Sequence, residues 1–251
     1  MQGTRDGELP LFTACVMVQK GARYQVNIRV LSDEMASRIA AGEVVERPAS
    51  VVKELIENSL DAGANEIFIA IEKSGTASIR ISDNGSGMAP EDLVLAVERH
   101  ATSKLIDDED LFRIATLGFR GEALPSIGAV AKMTILSRQA GAATGYRLCV
   151  EGGKKDEARP AAAAFGTTVE IKEIFFNTPA RRKFLKAPAT ELSHICDVVN
   201  RLALARADVH FRLQHDGRTV ADYVAVTDRG DRLRQVLGRD SGACVRDPEQ
   251  D

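Results

Sequence analysis

Hydrophobic positions along the chain follow two rhythms, and the switches between them mark the elements. From Asp33, the residues Met35, Ile39, Ala40 and Val44 recur at helical spacing, with an interruption expected at Gly42. Arg47-Pro48 restarts the pattern, because proline suits a first helical turn whose N–H has no partner anyway. Val51, Val52, Leu55, Ile56 and Leu60 carry it on until Ala62-Gly63 stops it. The rhythm then becomes period two. Ile67, Ile69 and Ile71 alternate in a strand over Glu66–Glu72, Lys73-Ser74-Gly75-Thr76 reads as a hairpin turn, and a second strand covers Ser78–Ser82. After Asp83 to Met88, Pro90 opens a short helix. Residues 99 to 120 are polar and read as a long loop, a length that in a compact domain usually serves as a lid.

A short helix is predicted over Gly121–Ile127, and strands near Lys132–Ser137, Gly145–Val150 and Thr167–Ile174. Asn177 to Lys186 is a basic turn or helix, and Thr190–Arg206 a longer amphipathic helix. A last hairpin, His210–His215 and Thr219–Val224, turns at Asp216-Gly217. Residues 1–27 lack periodicity and read as a disordered leader, and the tail from Thr227 is charge-dense with no finished element. The sum is an α+β fold, a mixed sheet with helices on one face.

Composition narrows the function classes. The 251 residues carry 33 basic and 36 acidic side chains, a net charge of −3, with 44% hydrophobic and 27% charged residues. That balance excludes a disordered chain and a wholly basic nucleic-acid binder, while leaving room for a local basic patch. Cys15, Cys149, Cys196 and Cys244 form no CxxC pair and fit neither a zinc site nor a disulfide framework, which favours a reducing compartment. Leu9 to Val18 is apolar, but Met1 to Glu8 carries one Arg against an Asp and a Glu, the wrong charge for an export signal. The expected location is cytoplasmic. His100, His194, His210 and His215 lack ligand spacing.

No P-loop, GxGxxG, HExxH or GxSxG signature is present. Three other segments stand in order: Glu54 to Gly63, Asp83-Asn84-Gly85-Ser86-Gly87-Met88, and Gly118-Phe119-Arg120-Gly121-Glu122-Ala123-Leu124. Glu54, Asn58 and Asp61 share one helix face by their spacing. Each segment alone also has a plain structural explanation: a solvated helix side, a tight turn, and a loop before a helix.

Together with Arg38 to Pro48, Arg99-His100-Ala101-Thr102-Ser103-Lys104 and Phe176-Asn177-Thr178-Pro179-Ala180-Arg181-Arg182-Lys183-Phe184-Leu185, they closely resemble the MutL family of mismatch-repair ATPases over about Ile28 to Asp240. The Arg99 to Lys104 and Gly118 to Leu124 segments separate this family from its GHKL relatives, the type II topoisomerases, heat-shock chaperones and histidine kinases. The resemblance implies a GHKL (Bergerat-type) α/β sandwich with a left-handed crossover that binds ATP and Mg²⁺ under a lid.

Site roles follow from that resemblance. Glu54 becomes the general base that orients water, a task suited to a partly desolvated carboxylate. Asn58 holds Mg²⁺, which takes hard oxygen ligands. Asp83 accepts the adenine amino group, Gly87 clears space for the flat base, Met88 lines the pocket, and Thr168 lies near adenine and Asp83. Thr102, Ser103 and Lys104 face phosphates. Gly118, Phe119, Arg120, Gly121, Glu122, Ala123 and Leu124 lead into a helix whose N–H groups form an anion site.

Arg181, Arg182, Lys183 and Lys186, extended by Arg201 and Arg206, are either a solvated helix end or a surface for DNA contact without sequence preference. The implied partners are a MutS-type mismatch recognition protein, DNA, a downstream helicase or nuclease, and a second copy of the domain on ATP binding. The expected boundaries are a leader over 1–27, an ATPase domain over 28–206, and a truncated start of a second domain over 207–251. That second domain carries a phosphate-facing lysine in the family, so the alternative is a nucleotide- and DNA-binding module without productive turnover. No endonuclease is expected from this chain.

Overall fold

In the computed structural model the described residues are 30–101 and 121–238. The chain divides into two units, Met1–Leu31 and Ser32–Asp251, and every described helix and strand belongs to the second. Helix α1 (Asp33–Val44) begins at Ser32, whose hydroxyl accepts the Met35 N–H at 3.3 Å. It runs unbroken through Gly42, contrary to the expected interruption. The glycine is there for space: the Arg181 guanidinium lies over it, donating to Ile39 O at 3.2 Å, and a Cβ would overlap that group. Helix α2 (Pro48–Asp61) takes Pro48 in its first turn and buries Val51, Val52, Leu55, Ile56 and Leu60.

Strands β1 (Glu66–Glu72) and β2 (Ser78–Asp83) pair antiparallel. The short helix α3 (Pro90–Leu95) follows, and α4 (Ala123–Val130) starts two residues later than the sequence pattern predicts. Next come β3 (Lys132–Arg138), β4 (Gly145–Glu151), the very short β5 (Lys154–Lys155) and β6 (Arg159–Ala161), and β7 (Gly166–Lys172). β5 and β6 are too short and polar to leave a period-two signal. β7 ends early, because Glu173 takes a positive φ of 51° and turns the chain out of the sheet. Helices α5 (Pro179–Phe184) and α6 (Pro188–Ala205) precede β8 (His210–His215), β9 (Arg218–Tyr223) and α7 (Arg229–Leu237).

Among the described residues nine strands make one sheet, in the order β5-β4-β3-β7-β2-β1-β8-β9, with β6 also on β4. Two register rows of its inner face are apolar by strict alternation, except for His215 at the end of one. One register row runs Leu213, Ile69, Ile81, Val169, Ile135 and Leu148; the next runs His215, Ile71, Ile79, Ile171, Met133 and Val150. Leu55 and Ile56 of α2, Ile127 and Val130 of α4, and Ile195 and Val199 of α6 are buried in the same core. The opposite face is polar, with Arg80 paired to Glu170 at 2.8 Å. This is the predicted α+β class, a mixed sheet with helices on one face.

The hairpin that follows the expected boundary at residue 207 belongs to this sheet. β8 adds to β1 in parallel, from Glu66 opposite His210 to Ile71 opposite His215, so the last hairpin completes this sheet. The two hairpin turns are also joined: Asp216 Oδ1 accepts the Lys73 N–H at 2.9 Å, and His215 Nε2 accepts the Ser74 N–H at 3.2 Å. The charge-dense tail supplies α7, which is fastened by Arg232. That side chain is 1% exposed and donates to Ala207 O at 2.9 Å and Val209 O at 2.6 Å, with its guanidinium over the Tyr223 ring. Arg232→Ala removes two charge-assisted bonds and takes the donor from the Val209 carbonyl, while Ala207 O keeps the Val226 N–H at 2.8 Å, so urea denaturation should show a loss of about 2–4 kcal/mol.

Candidate active site

A third register row on the inner face breaks the apolar rule. It runs Phe211, Ile67, Asp83, Thr167, Ser137 and Tyr146, and its middle three members, on the adjacent strands β2, β7 and β3, are polar. Asp83 Oδ1 accepts N–H groups from Gly85 at 2.9 Å and Thr167 at 3.2 Å. Its Oδ2 lies 2.9 Å from Ser59 Oγ, which also sits 3.1 Å from Leu55 O. Burial pushes the Asp83 carboxyl above the usual carboxylate range, and the three donors offset this only in part. Ser137 Oγ accepts the Met88 N–H at 2.9 Å and lies 2.8 Å from Thr167 Oγ1, which anchors the loop after β2 to β3.

Over this row opens a cavity of about 1340 Å³. Glu54, Asn58 and Asp61 of α2 line it together, as their spacing predicts, and so do Asp83, Gly87 and Met88. Lys53, Glu57 and Ser59 join them. On another wall stand Gly121 and the N-terminal turn of α4, Glu122, Ala123, Leu124 and Pro125. Pro125 has no N–H, and the Ser126 N–H is returned to Glu122 O at 3.0 Å, so at this helix end Ala123 and Leu124 carry the N–H groups without a backbone partner among the described residues. His100 Nδ1 stands 3.5 Å from Glu122 Oε1 at the rim.

Two expectations need correction. Thr168 is not beside Asp83. Its Oγ1 donates to Ser82 Oγ at 3.0 Å, on the sheet face that carries Arg80 and Glu170, and Thr167 is the residue in the cavity. Counting alternation outward from Val169 and Ile171 gives the same answer, so the sequence itself carries the signal for Thr167. Arg181 is not placed for DNA contact, since its guanidinium is committed to α1 over Gly42. Arg182, Lys183 and Lys186 are exposed. Gly87 lines the cavity with a φ of 68°, but the atom its missing Cβ would overlap is the Arg138 carbonyl oxygen. Close approach of β3 is therefore enough to require a glycine here.

Thr102, Ser103, Lys104, Gly118, Phe119 and Arg120 lie outside the described residues. Gly121, at a φ of 60°, packs so closely on Ala101 that a Cβ would overlap the Ala101 carbonyl oxygen. Sequence reasoning missed Ser59, Thr167, Ser137, Lys53 and Glu57. Ser137 and Thr167 were readable as inward positions; the buried hydroxyl of Ser59 and the pairing of Lys53 gave no periodic signal.

A helix carrying a carboxylate and an amide one turn apart thus lines one cavity together with a carboxylate of the mixed sheet. Residues 46–174 match the family described as histidine kinase-, DNA gyrase B- and HSP90-like ATPase. The DNA mismatch repair protein MutL of Paramagnetospirillum magneticum is 51% identical over 90% of this chain and 38% of its own length. MutL of Xanthomonas campestris pv. campestris is 55% identical over 85% of this chain and 34% of its own. A solved structure, the Aquifex aeolicus MutL ATPase domain complexed with ADP, superposes with a TM-score of 0.65 at 34% identity, covering 77% of this chain and 70% of that one. The chain belongs to the HSP90-like ATPase family, in its MutL branch. It spans about a third of the length of the curated relatives it matches.

Because the folded Asp83 holds its proton to a higher pH than the unfolded chain does, stability contributed by this group falls as pH rises through its folded titration. Asp83→Asn removes that slope. Urea denaturation from about pH 4 to about pH 8 should show the difference between the two proteins growing in favour of the variant as pH rises.

Proposed function

We propose that this chain binds ATP with Mg²⁺ and hydrolyses it slowly, as the ATPase region of a MutL-like mismatch-repair protein. One observation carries the reading: the polar row under the cavity faces a helix that presents Glu54 and Asn58 one turn apart. A nucleotide needs a hydrogen-bond acceptor for its amino edge, an apolar wall for its ring, donors for its phosphates and a base near the terminal phosphate. Asp83 is the acceptor, fixed from three sides so that its remaining lone pairs have a defined direction. Met88, Ile81 and Val169 supply apolar surface in the same cavity.

The N–H groups of Ala123 and Leu124 receive phosphate oxygens at the positive end of α4. Glu54 takes a proton from the attacking water, and its partial exposure lets water reach it. The Asn58 amide oxygen suits Mg²⁺, a hard ion that keeps most of its ligands from phosphate and water. When bound, that ion neutralises charge building on the phosphates. The cations that the resemblance assigns to the phosphates, Lys104 above all, belong to the segment outside the described residues.

Isothermal titration of the full chain with ATP and a single-turnover assay test this directly. Asp83→Asn should weaken ATP binding by roughly 10- to 100-fold, because a donor replaces part of the acceptor. Glu54→Ala should leave binding near that of the parent and lower hydrolysis by about 100-fold or more. Hydrolysis untouched by Glu54→Ala would remove the base assignment. Tight binding with no turnover in the parent would favour the binding module.

In the longer protein, ATP occupancy gates pairing of two such domains and passes a signal from a MutS-type mismatch recognition protein to a helicase or nuclease, in the cytoplasm. Among the described residues no helix is long and apolar enough to cross a membrane. Arg182, Lys183 and Lys186 form the DNA-facing patch, contacting phosphates without reading sequence. Replacing all three with alanine should reduce retention of duplex DNA at low salt and flatten its salt dependence. Arg181→Ala should instead lower thermal stability and leave that salt dependence unchanged.

A further inference from the structure

We propose that Lys53 is a positioning residue for Glu54, and that the buried Glu57 holds Lys53 in place to do it. This rests on the reading of Glu54 as the base. On an α-helix Lys53 and Glu57 stand one turn apart on the same side, whereas adjacent residues such as Lys53 and Glu54 point about 100° apart and do not normally meet. Here they do meet. Lys53 Nζ lies 2.7 Å from Glu57 Oε2 and 3.2 Å from Glu54 Oε1, so one ammonium joins both carboxylates.

The three side chains are unequally anchored. The Glu57 side chain is 10% exposed, against 26% for Glu54 and 48% for Lys53, and all three line the cavity. Glu57 therefore makes the shorter bond from the more desolvated position, where a charge-assisted bond is strong and the carboxylate cannot swing into water. Partial burial disfavours the charged form of Lys53, yet the two glutamates outweigh it and raise the ammonium above its ordinary range. Lys53 thus stays charged, tied to a fixed post, and reaches the more exposed of the two carboxylates.

The effect on chemistry is geometric. A glutamate has three rotatable side-chain bonds, and a base must be held within about 0.5 Å of its working position. The contact commits Glu54 Oε1, so that Oε2 becomes the oxygen that takes the proton. An isolated pair on an exposed helix side is worth about 0–1 kcal/mol, so a purely structural role for Lys53 predicts little beyond a small stability change.

Four variants of the full chain separate the two readings: Lys53→Met, Lys53→Arg, Glu57→Gln and the double Lys53→Met/Glu57→Gln. With Lys53→Met, ATP affinity should stay within about threefold of the parent while single-turnover hydrolysis falls about tenfold or more. Lys53→Arg should restore hydrolysis to within about threefold of the parent. Glu57→Gln should reproduce the loss, and the double variant should lose no more than either single one, because both act through one contact.

A Lys53→Met chain that turns over at the parental rate would overturn the proposal, as would losses that multiply in the double variant. A crystal structure of Lys53→Met gives a readout independent of turnover. Glu54 Oε1 should leave its present place, and its remaining there would also overturn the proposal. Failure of the underlying ATPase reading looks different: it appears as hydrolysis indifferent to Glu54→Ala, whatever the Lys53 variants do.

Discussion

The site depends on one register, that of β7 between β2 and β3. Because residues alternate faces along a strand, the pairing that sets Val169 against Ile81 and Ile135 also sets Thr167 against Asp83 and Ser137. A slip of one residue would turn Thr168 and Glu170 into the core and send Thr167 and Val169 out. Both faces resist that slip. The inner one closes over isoleucine, methionine and valine, while the outer one pairs Arg80 of β2 with Glu170 of β7. The polar row is therefore the end of an apolar stack, placed by the same alternation that builds the core.

Helix α2 brings the other half of the chemistry, and Ser59 is the joint between the halves. Its hydroxyl touches both the helix carbonyl of Leu55 and the Asp83 carboxylate, so the helix that carries Glu54 and Asn58 is fixed relative to the sheet by a polar contact inside the site. The next residue after Asp83 does different work. Asn84 Oδ1 accepts the N–H groups of Asn65 and Glu66, both at 3.0 Å, and ties the loop to the start of β1. The glycine-rich turn is thus structural at Asn84 and lines the cavity at Asp83, which is why neither reading of Asp83-Asn84-Gly85 alone describes it.

Much of this was legible in the sequence, and the misses have identifiable causes. Long elements with many periodic positions, such as α2, β1 and α6, stand out because each buried residue repeats the same message. Elements of two or three polar residues, β5 and β6, carry no such redundancy. The polar stripe of α2 could be read because helical spacing alone puts Glu54, Asn58 and Asp61 together. Thr167 against Thr168 turned on a single position of alternation. The tertiary role of Arg181 had no local signal: a guanidinium resting on Gly42 joins residues far apart in the chain, and a run of basic residues looks the same whether its members face water or a neighbouring helix. Nothing local in the last hairpin says which strand its edge will join, so its pairing with β1 is visible only in the structure.

The pairing of β8 with β1 also bears on how the molecule is made. Glu66 waits for a partner, His210, that leaves the ribosome about 140 residues later, and Asp83 of β2 waits for Thr167 of β7 over about 84 residues. Contact order of this kind makes folding slow and late, because loop-closure entropy must be met before the distant strands reward it. Until β8 arrives, β1 is an unpaired edge bearing three buried isoleucines on one face, the sort of surface that invites aggregation or chaperone capture. Any shortened version of the chain that stops before His210 inherits that exposed edge permanently.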